Sequence, residues 1–193
     1  MEKRELKTKA KKGLSLQDLL LTAVLLAAGA VLKFFAGTFI NLFGMKPNFI
    51  IAMYCMAIVL IRPKIYYSII IGLLAGAICQ FFPGTPYLNF GSELAGALAM
   101  GLLIMIPAKN KTVEIVLAAV STFISTVISG GLYVVLLFVF IKSDPSAMVA
   151  YVPIVLGTAT LNTIIVALLY VPLMKVLKKS FISDAKKEAS DNE

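Results

Sequence analysis

Six apolar runs, joined by connections too short to form a domain of their own, leave this chain few ways to fold. In lipid the backbone must satisfy its own hydrogen bonds, which helices do and open strands do not. Hydrophobic residues make up 60% of the 193 positions, against roughly 45–50% in soluble domains. With a mean hydropathy of +0.93, the fold class that fits is an all-α membrane protein of six transmembrane helices.

The runs have readable limits. Span 1 opens at Ser15 with Asp18 three residues on, a capping-box pattern, and continues to about Phe35. The basic start and the "AGA" at Ala28–Ala30 resemble a secretory signal, but five further apolar runs follow, and the segment reads as a span. Spans 2 to 6 are expected at Asn48–Ile61, Ile65–Phe82, Glu93–Ile106, Val113–Ile141 and Tyr151–Leu177. With the N-terminus inside, the cytoplasmic side collects the basic N-terminus, Arg62, Lys64, Lys109, Lys111 and the basic tail. Of the 18 basic residues, only Lys33, Lys46 and Lys142 then fall outside. The expected organisation is a basic N-terminus (1–14), a six-span substrate-binding domain (15–178) and a charged tail (179–193), with both termini cytoplasmic.

Several function classes lose support. The formal charge of +8 sits at chain ends and in loops, which suits topology rather than a nucleic-acid stripe. Histidine is absent, no metal-ligand spacing occurs, and Cys55 and Cys79 lie inside apolar runs as buried thiols. No P-loop and no nucleophile–base set is present, so neither catalysis nor a cofactor is expected.

Small residues four apart mark helix contacts: Gly72 with Gly76, Ala97 with Gly101, and Ala23 with Ala27. For the last pair, internal packing and an intermolecular face both fit.

Polar residues in the outer half carry the functional signal. The first and third connections are rich in aromatic residues, Phe39 among them, and read either as an interfacial belt or as a pocket under a loop lid. Lys46 precedes Pro47 at the start of span 2, where a lysine opposes the helix macrodipole unless an anion is present. Lys46 and the N–H groups of Asn48 and Phe49 could together attract a carboxylate; a lysine snorkelling to headgroups is the alternative. Glu93, at the expected start of span 4 with Asn89 one turn earlier, is either a first-turn helix stabiliser or a partner for an ammonium. Lys46 and Glu93 could thus bracket a zwitterion. "SGG" at Ser129–Gly131 is expected to interrupt span 5, with Ser129 and Tyr133 as contacts, and Asn162 serves either helix packing or a ligand.

"GMKP" opening span 2, "SG" within span 5 and "LNT" within span 6 together resemble the tryptophan-transport family of Gram-positive bacteria. That family belongs to the substrate-binding S components of energy-coupling-factor (ECF) transporters. The likeness runs from about Leu16 to Leu177, although "NFGSE" stands before span 4 where the family often has an Asp-Lys pair. The resemblance implies a six-helix S-component bundle in the cell membrane with an outward pocket for L-tryptophan. It also implies, as partners, a transmembrane T component and two ABC ATPases. Ala23 and Ala27 match the AxxxA docking feature for the T component. Other functions remain open: an S component for a different ring-bearing nutrient, a solitary proton-coupled carrier using Glu93, or a membrane scaffold.

Overall fold

The computed structural model describes residues 13–39, 47–85, 87–141, 145–179 and 181, and the regular elements among them are all helical. They are α1 (Leu16–Phe39), α2 (Ile50–Ile61), α3 (Ile65–Cys79), α4 (Leu88–Leu103), α5 (Lys111–Ile141), a 3-10 turn (Pro145–Tyr151) and α6 (Val152–Val176). Each of the six expected spans is a helix.

Three of them, α1, α5 and α6, are long and apolar enough to cross a membrane, whereas α2, α3 and α4 have 12, 15 and 16 residues. At the usual rise α2 is about 18 Å long, against a hydrocarbon core of about 30 Å. It has no need to reach both surfaces, because Ile50 through Leu60 are all buried and α2 packs against each of the other five helices. A helix apolar on every side belongs in an interior, and "IIAMYCMAIVLI" has that character.

Local chemistry explains the helix starts and contacts. Ser15 and Asp18 form a reciprocal capping box: Ser15 Oγ accepts from Asp18 N at 3.1 Å, and Asp18 Oδ2 accepts from Ser15 N at 3.3 Å. The Gly72/Gly76 face of α3 lies directly on α4. A Cβ on Gly72 would stand 2.8 Å from Ala97 Cβ, and one on Gly76 would stand 2.9 Å from Phe90 Cα. Ser68 of α3 fills the notch at Gly101 in the same way, so both small-residue pairs serve internal packing.

Two expectations are corrected. The fourth helix begins at Leu88 instead of Glu93, because Gln80 ties the preceding turn together. Its amide donates to Gly76 O at 3.0 Å, and its Oε1 accepts from Tyr87 N at 3.1 Å. Tyr87 takes a left-handed conformation (φ 69°) and the helix restarts at once. Asn89 is therefore helical, and Glu93 sits in the second turn, 1% exposed, away from the free N–H groups a first-turn acid would face. Nor does "SGG" interrupt the fifth helix, which runs unbroken through Ser129–Gly131. Gly130 instead admits α6: a Cβ there would lie 3.1 Å from Val155 Cγ1.

Polar groups tie the bundle at the end where α2, α4 and α6 finish. Arg62, in a left-handed C-cap of α2 (φ 48°), donates to Ile104 O at 3.2 Å and pairs with buried Glu114 at 3.1 Å. Tyr170 donates to the same carboxylate at 3.0 Å. Lys179 donates to Leu60 O at 2.9 Å and pairs with Asp18 at 3.4 Å.

Candidate functional site

At the opposite end, where α1, α3 and α5 finish and α2, α4 and α6 begin, all six helices enclose a cavity of about 310 Å3. That is within the usual size of small-molecule sites, roughly 300–1,000 Å3. Asn48 and Ile51 line it from the start of α2, so the short central helix ends where the cavity begins.

The polar wall is built from five helices and the entry to α2. Glu93 accepts hydrogen bonds from the side-chain amide of Asn48 at Oε1 and from Ser129 Oγ at Oε2, the latter at 3.0 Å. Cys79, at the end of α3, reaches three polar groups: its sulfur is 3.3 Å from Lys33 Nζ, 3.7 Å from Asn48 Nδ2 and 3.9 Å from Glu93 Oε1. Lys33 also stands over the Phe82 ring, 5.1 Å from the centroid, a cation–π distance. The hydroxyls of Thr126 and Thr158 line the cavity too. Each donates back into its own helix, to Thr122 O at 2.8 Å and Ile154 O at 2.7 Å, which leaves them as acceptors toward the interior. Phe34, Phe82, Tyr133, Ile154 and Val155 supply the apolar remainder, and Gly84 and Gly130 leave it open.

Five residues singled out from the sequence, Asn48, Asn89, Glu93, Ser129 and Tyr133, line this one cavity. Asn162 stands behind it, fully buried. Its amide donates to Asn48 O at 3.2 Å and to Thr126 Oγ1 at 3.4 Å, so it supports two lining residues. Lys46 and the side chain of Phe39 lie outside the described residues, as does the expected loop lid.

The cation that does line the cavity is Lys33, which the sequence reading counted only toward topology. Its signal in the sequence is only that of a charge at the end of an apolar run; the structure shows which face carries it. Lys33 continues the face of α1 that carries Thr22, Leu26 and Gly29, all buried, at helical spacing. A Cβ on Gly29 would stand 2.9 Å from Ile50 Cα, so this face meets α2 and delivers Lys33 inward. Ala23 and Ala27 lie on another face of α1 and are exposed, together with Leu16, Leu20, Val24 and Val31.

Comparison with known proteins adds the identity of the fold's relatives. A probable tryptophan transport protein of Clostridium acetobutylicum is 26% identical over 171 residues, covering 87% of this chain and 98% of its own length. A probable tryptophan transport protein of Bacillus subtilis is 26% identical over 174 residues, covering 89% and 98%. No solved structure matches the chain. A family model described as "Tryptophan transporter TrpP" matches residues 15–178, the whole of the helical bundle. This integral membrane protein therefore belongs to the TrpP tryptophan transporter family.

Proposed function

We propose that the chain is the substrate-binding membrane subunit of an ECF-type ABC importer, and that L-tryptophan occupies the cavity. The observation that carries the reading is the cavity itself: a cation, a buried carboxylate and aromatic rings brought into one enclosed space of suitable size. An indole side chain buries roughly 200 Å2, about 5 kcal/mol gross at the usual coefficient. Charge-assisted hydrogen bonds at the amino-acid end add to this, and ordering costs subtract, so micromolar or tighter binding is within reach.

The charge pattern supports an outward-facing site. Arg62, Lys64, Lys109, Lys111, Lys175, Lys178 and Lys179 all lie at the helix ends remote from the cavity, which favours that end for the cytoplasm. Both termini are then cytoplasmic, in the cell membrane, with 15–178 as the binding domain between the basic N-terminus and the charged tail. The exposed Ala23/Ala27 face of α1 is available for the T component, which with two ABC ATPases completes the importer. Docking would topple the subunit and deliver the ligand inward.

The chain contains no tryptophan, so the ligand reports on itself. Excited at long ultraviolet wavelengths, tryptophan should shift its emission to the blue on binding the purified protein, saturating in the micromolar range. If millimolar tryptophan gives neither a saturable shift nor calorimetric heat, the reading is wrong.

A further inference from the structure

We propose that Lys33 and Glu93 are the two charge partners of the bound amino acid, carboxylate to Lys33 and ammonium to Glu93, and that Cys79 is the spacer that keeps them from neutralising each other. The inference rests on the cavity being the tryptophan site, and it assigns the chemistry within it.

Three observations meet here. The first is that Lys33 has no carboxylate within ion-pair distance among the described residues. Its neighbours are a thiol and an aromatic ring, both weak partners for an ammonium held in the outer part of a bundle. The second is that Glu93, buried and facing the same cavity, accepts from Asn48 and Ser129. The Cys79 thiol is a third, weak donor at 3.9 Å. Since a carboxylate has about four acceptor positions, an incoming ammonium still finds one free and can displace the thiol.

The third is the geometry between them. No direct Lys33–Glu93 ion pair forms, which places the two charges more than 4.0 Å apart. The sulfur of Cys79 touches both, and its legs of 3.3 Å and 3.9 Å cap their separation at about 7 Å. An α-amino acid carries its two charges on a single carbon. With charge-assisted contacts of about 2.8 Å at each end, its main group bridges a bent gap of this size. Were the lysine and the glutamate in contact, each would be the other's partner, and a zwitterion would have to break that pair to enter. Cys79 is suited to the spacing role. It is 1% exposed, fixed at the end of α3, and its weakly polar sulfur competes poorly with a charged ligand for either group.

The consequence is selection for the zwitterion over molecules with the same ring. Tryptophan, tryptamine (no carboxylate) and indole-3-propionate (no ammonium) all fluoresce and can be titrated against the same tryptophan-free protein. The full chain should prefer tryptophan over either analogue by about 10- to 100-fold, the size of one charge-assisted hydrogen bond. Lys33→Met should weaken tryptophan and indole-3-propionate by a similar factor while leaving tryptamine unchanged. Glu93→Gln should weaken tryptophan and tryptamine and leave indole-3-propionate unchanged. Unchanged binding of the spared analogue also shows that each variant is folded. Cys79→Ala should weaken tryptophan although no charged contact is removed, Cys79→Ser should restore it, and adding Lys33→Met to Cys79→Ala should produce little further loss.

Equal losses for all three ligands in Lys33→Met, with the charge-preserving Lys33→Arg no better, would overturn the carboxylate assignment. Wild-type affinity in Cys79→Ala would overturn the spacer. If wild-type protein binds none of the three, the tryptophan reading itself fails. If it binds tryptophan but the variants do not sort the analogues, only this inference fails.

Discussion

Asn162 illustrates how one side chain can matter to a site it does not touch. Its amide holds the backbone carbonyl of Asn48, and the Asn48 side chain in turn donates to Glu93. Its own Oδ1 is buried without a hydrogen-bond partner, so the residue is only half satisfied. Asn162→Ala should therefore lower stability by only about 1 kcal/mol, since removing the orphaned oxygen offsets part of the lost bonding. It should weaken tryptophan binding several-fold, less than Glu93→Gln does, in thermal melts and titrations run side by side. At this scale the sequence was half legible. Glu93 and Asn48 stand out as polar residues among apolar ones, and intramembrane polarity is a functional signal in itself. Lys33 carries the same signal but is one of three outer lysines. Lys46, beside a proline, offers an argument from local backbone, whereas the case for Lys33 depends on which face of α1 meets α2. In a helix apolar nearly all round, no periodicity identifies that face.

Among the elements, α1 is the one with two assignments. One face, through Gly29, meets Ile50 of α2 at backbone contact distance and places Lys33; another, with Ala23 and Ala27, is bare. If the bare face is the proposed docking surface, the two duties are separable, because different residues carry them. Replacing Ala23 and Ala27 with leucine should spare tryptophan binding by the isolated chain and abolish ATP-driven uptake in cells that hold the remaining subunits. Uptake at the wild-type rate would rule out docking through this face. The element boundaries were legible where the backbone's own chemistry decides them, as at Ser15–Asp18 and at Pro63, which follows α2. They were not legible at α4, whose early start depends on a glutamine seven residues before Tyr87. Nor did two glycines together break α5: the space at Gly130 is filled by α6, a neighbour that sequence spacing does not announce, while the space at Gly131 stays open.

Viewed as a whole, the molecule is an open arc of helices, α1, α3, α4, α5 and α6 in order of contact, around α2, with an ion-paired end and a hollow end. The number of helices and their class were readable from apolar run lengths alone, while the enclosure of the shortest run by all the others was not. That enclosure also bears on assembly. Helix α2 is synthesised second, yet Cys55 is covered by Ser125 of α5, its hydroxyl 3.5 Å from the thiol. Before α5 arrives, α2 has α1, α3 and α4 to pack on, and only the flank that Ser125 covers is left to lipid or the insertion machinery. In a Cys79→Ser background, a chain ending after Ile106 should expose Cys55 to lipid-soluble maleimides, and the full chain should protect it. Equal protection in both would mean that α2 is shielded before α5 is made. The last helix brings Ile154, Val155 and Thr158 to the cavity and Asn162 to Asn48, so a chain that stops before α6 leaves one wall of the cavity open. On the proposed reading, the closed binding site exists only once the last helix is in place.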